Sequence, residues 1–265
     1  MDVKGSFDVF GNIAIVKFPP ETPAAGKKKF AKKILDENKS VRTVLEKVGK
    51  FSGRLRKQKT KFLLGENTKE ALYRENGCVF RLNIDDTYFS SRLSGERKEI
   101  ASKIKKGEKV LVMFAGVSPY SIVIAKDSKA GTVYSNEINR KANEYGKMNI
   151  ELNKLKGKVI LVPGDIKKAA LKLREKGEKF DVIVMPRPQL KDSFLKQAFM
   201  LSKGGKKGTR IYYYDFYRED EIPLVKEKIM REAKENGKEA RVLSVKKAGE
   251  VSPYKYRIRA DLKVA

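Results

Sequence analysis

The sequence predicts an α/β chain: a mainly parallel sheet with helices on both faces, closed by a β-hairpin and preceded by a small α+β module. Three observations carry this. From Gly107 onward, apolar runs of strand length alternate with stretches of helix length, and the connection rules turn strand–helix–strand units into parallel neighbours. Inside that alternation, VLVMFAGVSPYSIVIAK at 110–126 runs an apolar strand through a small-residue turn into a helix, and the acid Glu137 closes the next strand. Residues 238–264 then read as two strands around a turn at Ser252-Pro253, with Tyr256, Ile258, Ala260 and Leu262 alternating against charged neighbours. The boundary falls so that 1–92 form the small module and 93–265 the sheet domain.

Taken in order, the first module offers short β-type runs at 12–18, 62–64 and 78–84, separated by basic helical or loop segments. In the second, strands are expected at 110–114, 132–135, 158–162, 181–185 and 210–215. Helices are expected at 119–126, 140–152, 166–176, 190–201 and 222–236. The segment SKGGKKG, 202–208, reads as a loop with solvated lysines.

Composition narrows the function. The chain has 265 residues, 40% of them hydrophobic, which is enough for a proper core. Its 60 Lys and Arg against 33 Asp and Glu leave a net charge of +27, far beyond what solubility requires, so a polyanion, foremost nucleic acid, is the expected partner. A membrane partner would call for a long apolar run or an amphipathic helix with basic flanks, and neither is found. One cysteine, Cys78, excludes an internal disulfide and a cysteine zinc cluster, and its place between a Gly turn and an apolar run gives it a packing role. With no histidine, catalysis falls to carboxylates, arginines and positioning, without a metal. The start, MDVKGSFDVFGN, has no basic-then-apolar leader, so a cytoplasmic protein is expected. The Lys- and Glu-rich composition, free of Trp and His, resembles that of proteins from heat-loving organisms.

The turn at 114–118 fits a nucleoside-bearing cofactor. Ala115 and Gly116 let backbone approach the ligand where larger side chains would block it, and Glu137, some twenty residues on, can accept both ribose hydroxyls. Asp165, in VPGDI after the third strand, suits the adenine amino group; the alternative is that it simply caps the following helix. Ser118 stands where a dinucleotide fingerprint would place its second glycine, and five alternating units with a closing hairpin are the layout of Rossmann-like class I S-adenosylmethionine methyltransferases rather than of nicotinamide dehydrogenases.

Several motifs then converge: GSFDVFGNIAIVKFP, SVRTVLEKVGKFSGRLR, ENGCVFRLNIDDTYFSSRLSGERKEIA, VLVMFAGVSPYSIVIAK, EINRKANEYGKMNIELNK and VSPYKYRIRADLKV. In this order and spacing, nearly the whole chain resembles the archaeal and eukaryotic tRNA methyltransferases that act on N1 of the guanosine 3′ of the anticodon, together with their wybutosine-synthesis relatives. The resemblance implies S-adenosylmethionine as cofactor, held by Phe114, Ala115, Gly116, Val117, Glu137, Ile138, Asp165, Ile166, Met185 and Pro186. It implies a tRNA anticodon stem-loop as partner, bound by a monomer. Glu96, in SGER, falls on the family's proton-handling carboxylate, and Arg56, in GRLRK, on the arginine that steadies the guanine and the charge on its O6. Tyr88, Arg92 and Arg97 fall on pocket-shaping positions, and Arg54, Lys57 and Arg187 are further candidates for substrate contact.

The chemistry calls for such residues. N1 of guanine carries a proton at neutral pH, so removing it while stabilising charge on O6 prepares N1 to attack an activated methyl, and alignment of the two supplies much of the rest. Each residue also has a plainer reading. Glu96 could pair with neighbouring bases, Arg56 could contact phosphate or solvent, and Tyr88 or Phe89 could stack on the extruded base or belong to the fold. Three departures from the family pattern stand out. Val112 replaces the usual Asp and Ser118 the usual Gly; Met185-Pro186-Arg187-Pro188 replaces Asn-Leu-Pro, leaving Arg187 or a backbone carbonyl to stand in for the amide; and the chain begins directly with the second module of the longer enzymes. The wybutosine-pathway aminocarboxypropyl transferases share that last feature and are the runner-up. An inactive RNA-binding protein on the same scaffold is the third reading. The lysines and arginines of the first module, from Lys27 to Lys61, are expected to track phosphates, so that binding weakens steeply with salt.

Overall fold

A computed structural model describes residues 5–205 and 207–265, the side chains of 50–52 excepted. The chain divides into two compact units, Met1–Ser91 and Arg92–Ala265.

In the first unit, β1 (Ser6–Phe10) and β2 (Ile13–Lys17) form a hairpin, α1 (Ala24–Glu37) crosses over, and β3 (Thr43–Ser52) returns parallel to β2 before pairing antiparallel with β4 (Lys57–Gly65). A separate antiparallel pair, β5 (Glu70–Glu75) and β6 (Cys78–Asn83), follows. The core lies under α1, where Ala31 and Ile34 meet Ala14, Val16 and Val44. Asn12 ties the β1–β2 turn to β5: its side chain donates to Glu70 O at 3.3 Å and accepts from Leu72 N–H at 2.7 Å. The sequence marks three strands here and the structure makes six among the described residues. The extra ones are β1, β3 and β5, and SFDVF and EALYRE among them are partly solvated strands held by ladder hydrogen bonds, whose polar residues hide them from an apolar pattern. Cys78 is buried.

The second unit contains α2 (Ser94–Ser102), β7 (Lys109–Val112), α3 (Pro119–Asp127), β8 (Thr132–Glu137), α4 (Arg140–Leu152), β9 (Val159–Pro163), α5 (Ile166–Glu175), β10 (Val182–Met185), α6 (Leu195–Met200), β11 (Thr209–Arg218), α7 (Leu224–Glu235), β12 (Ala240–Ser252) and β13 (Lys255–Val264). They build a seven-stranded sheet in the order β12-β13-β11-β10-β7-β8-β9. The five strands from β9 to β11 run parallel, and the closing hairpin adds β13 and then β12 antiparallel. Successive strands move outward from β7 to β9, and β10 then starts on the other side of β7. That reversal opens a crevice at the carboxyl ends of β7 and β10, where such sheets take ligands.

The strands and helices stand where the alternation places them, with one clear exception. The expected helix at 190–201 is only Leu195–Met200. Its first turn is pre-empted by a loop anchored on the buried Arg187, and Phe194 enters the helix in the left-handed region, φ 60°. One core face joins Leu111, Met113, Ile183 and Tyr213 of the sheet to Leu195, Phe199, Val225 and Ile229 of α6 and α7.

Candidate active site

At the carboxyl end of β7 the chain turns through Met113-Phe114-Ala115-Gly116-Val117-Ser118 into α3. Phe114, Gly116 and Ser118 all have positive φ, 58°, 57° and 70°, so the turn is wound tightly and brings backbone amides to the crevice. Glu137, at the end of β8, locks it: one carboxylate oxygen accepts from Gly116 N–H at 2.7 Å and the other from Asn139 N–H at 2.7 Å. Burial pushes the Glu137 carboxyl up, and the N–H groups of Asn139, Gly116 and Ile138 offset only part of that. Asn136 holds the adjoining loop by donating to Val162 O at 2.8 Å and Gly164 O at 3.0 Å. Asp165 caps α5, accepting from Lys167 N–H at 2.9 Å, which is the plainer of its two expected readings.

Ser118 has a physical explanation. A non-glycine residue in the left-handed region costs about 1 kcal/mol, but its hydroxyl lies 3.0 Å from that of Ser135, to which Ser121 also donates at 2.8 Å. Gly146 of α4 makes room for it, because a Cβ there would lie 2.8 Å from Ser118 Oγ. Val112, where an acid was expected, is fully buried between β8 and β10. Ile166 packs into the core under the sheet, and Met185 is buried at the end of β10, so their side chains serve packing. Ala115 and Val117 are likewise buried, whereas Phe114, half-buried, packs edge-on to Phe194 with centroids 5.0 Å apart; Ile138 and Pro186 remain half-buried at the crevice end.

Glu96 lies in the first turn of α2, inside a charged cluster. One of its oxygens accepts from Tyr214 Oη at 2.7 Å and from Arg259 Nη1 at 2.8 Å, and the other pairs with Lys246 Nζ at 2.6 Å. Arg259 also pairs with Glu99 and Asp261, each at 2.6 Å, and is held firmly protonated despite burial. The hydrogen bond from Arg259 draws Glu99 down to about 2. Tyr214, Lys246 and Arg259 lie in one row across β11, β12 and β13, one residue beyond the pairing of Met185 with Tyr213, so the cluster stands at the carboxyl-end level of the parallel strands.

Arg97 and Arg187 turn inward, against the expectation that both face the substrate. Arg97 is 1% exposed, its guanidinium 5.8 Å from the centre of the Tyr120 ring. Arg187, also 1% exposed, pairs with Asp215 and donates to Leu190 O and Asp192 O at 2.5 and 2.6 Å. With Asp215 as charge partner and two carbonyls as acceptors, the buried guanidinium is compensated where it lies. Met185 O accepts Arg187 N–H at 2.7 Å, a tight turn that the fixed φ of Pro186 suits. Arg92 is exposed.

In the first unit, Arg56 sits in the β3–β4 turn at φ 54°, its guanidinium 5.2 Å from the centre of the Tyr88 ring. Lys57 pairs with Asp86 at 3.1 Å, and Arg54 is exposed. Phe89 belongs to the core, against Tyr73 and Phe80.

Sequence reasoning missed Asn136, Tyr214, Lys246 and Arg259. For the last, a signal existed: in YRIRADL the charged members of the alternation share a strand face, and Arg259 with Asp261 on a covered face needed a partner such as Glu96. Among the described residues there is no cluster of three or more metal-ligating side chains, and no helix is long and apolar enough to cross a membrane.

Residues 71–245 match the TRM5/TYW2 methyltransferase domain, and residues 1–68 match the TYW2 N-terminal domain. The chain is 33% identical to the tRNA (guanine(37)-N(1))/4-demethylwyosine(37)-methyltransferase Taw22 of Nanoarchaeum equitans, across 97% of this chain and 99% of that protein. To the tRNA (guanine(37)-N(1))-methyltransferase Trm5b of Pyrococcus abyssi it is 35% identical, across 98% of this chain and 75% of that one. The crystal structure of that Trm5b superposes with a TM-score of 0.84 at 33% identity, covering 98% of this chain and 75% of the other. An aTrm5 in complex with tRNALeu gives 0.82 at 27% identity, with 99% and 73% covered, and Methanocaldococcus jannaschii Trm5 in complex with adenosine gives 0.77 at 28%, with 99% and 75% covered.

Proposed function

Since the chain belongs to the TRM5/TYW2 methyltransferase family, we propose that it transfers a methyl group from S-adenosylmethionine to N1 of guanosine 37 in tRNA. The observation that carries the reading is the Glu137-locked turn after β7, a preformed cradle for a nucleoside in a chain similar over nearly all its length to methyltransferases of that name. The residues present fit the cofactor: Glu137 has lone pairs left for the ribose hydroxyls after serving Gly116 and Asn139, and Ala115 leaves the approach to the backbone open. S-adenosylmethionine supplies the electrophilic methyl.

The remaining steps fall to this chain's side chains. Glu96 accepts the N1 proton, and because it already holds Tyr214, Arg259 and Lys246, it takes that proton by yielding one of these contacts. Arg56 keeps the role its place in GRLRK implies, steadying the negative charge on O6. Arg187 positions the loop after β10 and makes no direct contact with the base. The tRNA is held through its anticodon stem-loop, the protein acts as a cytoplasmic monomer, and the first unit supplies the phosphate contacts through the basic side chains of α1, β3 and β4.

A second reading, transfer of the aminocarboxypropyl group of the same cofactor, is favoured by the match of residues 1–68 to the TYW2 N-terminal domain. Incubation with unmodified tRNA and S-adenosylmethionine separates the two: S-adenosylhomocysteine with 1-methylguanosine is the expected product pair. Methylthioadenosine would overturn methyl transfer, and an unchanged tRNA with bound cofactor would leave an RNA-binding protein.

A further inference from the structure

Three loops end side by side at the amino-terminal ends of β7, β8 and β9, opposite the end that carries Gly116 and Glu137. Their backbones are stitched together: Gly107 N–H donates to Lys129 O at 2.8 Å, Gly131 N–H to Glu108 O at 2.9 Å, and Val133 N–H to Lys158 O at 3.0 Å. A Cβ on Gly131 would lie 2.8 Å from Gly107 O, so the first two loops touch through bare backbone. On this platform stand Lys105, Lys106, Lys129, Lys154, Lys156 and Lys158, all exposed except the half-buried Lys158. None of the six forms an ion pair within the described residues; Glu108, Glu178 and Asp181 are engaged with Arg210, Lys109 and Lys203, which leaves the exposed Asp127 and Glu151 as the acids flanking these loops, two against six lysines.

Strands pack about 4.8 Å apart, so the three loops span about 10 Å, close to the Debye length of about 8 Å at physiological salt. The potentials of the six ammonium groups therefore add, which costs stability unless a polyanion offsets it.

We propose that this face is a second RNA contact, one that takes two or three consecutive backbone phosphates of a folded RNA. Lysines on exposed loops hold phosphates and read no sequence. The strands between face and crevice are 4 to 6 residues long, or roughly 13–20 Å. Phosphates held here belong to a part of the RNA remote from the reacting nucleotide, and the contact sets affinity while leaving the chemical step alone.

The test compares two double variants of the full chain, K129E/K156E on this face and K226E/K234E on the exposed side of α7, which change the total charge equally. Binding of a tRNA transcript is followed across a salt series, beside kcat and KM for tRNA. For K129E/K156E the slope of log affinity against log salt should shrink by about 2 and affinity fall roughly tenfold, with kcat and S-adenosylmethionine affinity unchanged and K226E/K234E close to the parent. Equal weakening by both doubles means that bulk charge alone acts, and overturns the contact. So does unchanged tRNA affinity, or loss of binding to phosphatidylserine vesicles in place of tRNA. K129Q/K156Q, the milder pair, should fall midway, and matching melting curves exclude misfolding as the cause. If the parent binds tRNA without modifying it, the proposed function fails and this contact stands.

Discussion

Glu137 serves two backbone amides and, in the proposed complex, two ribose hydroxyls with a single carboxylate. Because burial lifts its pKa above the ordinary 4.5, the ionised form that accepts those hydroxyls is lost at a higher pH than for a surface carboxylate. Calorimetric affinity for S-adenosylmethionine should therefore decline on acidification starting above pH 4.5. E137Q should weaken binding ~10- to 100-fold, the worth of a charged hydrogen bond or two, and abolish that pH dependence. A pH-independent parent would sink the assignment. At Glu96, Y214F removes one donor and leaves the charge pairs, so kcat should fall while stability drops by only about 1 kcal/mol; an unchanged kcat means that Tyr214 plays no part in positioning Glu96. Single residues were unevenly legible. Glu137 could be placed from its distance to the turn, because strand and turn lengths are local quantities. Arg187 could not, because whether a guanidinium faces a crevice or a buried Asp215 depends on a strand 28 residues away.

Elements were legible where apolar periodicity marks them. The helix 140–152 is identical in sequence expectation and structure, while the loop before α6 is a tertiary product, since Arg187 holds Leu190 and Asp192 and so keeps that stretch out of a helix. R187M should cost about 3 kcal/mol, the low end for breaking a buried pair, because Lys228 still neutralises Asp215 at 3.0 Å. Limited proteolysis should then cut first within 188–192, and equal stability of variant and parent in denaturant would contradict the clamp. The α3–α4 contact offers a cleaner test. G146A gains about 1 kcal/mol of helix propensity but drives its Cβ to 2.8 Å from Ser118 Oγ, so it should destabilise alone; with S118G the next atom is Leu161 Cδ2 at 3.5 Å, and the double variant should be at least as stable as S118G. Additive effects in melting curves would show that the two positions do not press on each other.

For the molecule as a whole, 33 carboxylates stand against 60 Lys and Arg, and several of the carboxylates are engaged with bases. Glu99, held at about 2 by Arg259, and Glu178, Asp181, Asp192 and Asp215, all below their ordinary values, contribute stability that is complete above about pH 4.5. It disappears as pH falls toward 2, because the unfolded chain takes up those protons first. Glu137, shifted the other way, opposes this weakly. Melting temperature should be flat near neutrality and fall steeply below about pH 4.5, with a shallower fall in E99Q; equal slopes would remove Glu99 from the account.

By itself the sequence determined the parallel sheet with its closing hairpin, the basic character, the absence of histidine and the small-residue turn after β7, since all of these are written in periodicity, composition and short spacings. Only the tertiary structure decided which charges face outward. Glu96 with Arg259, and Arg187 with Asp215, are pairs between distant segments, and a buried ion takes whichever partner the packing brings within about 3 Å, a matter of sheet register that no local pattern records.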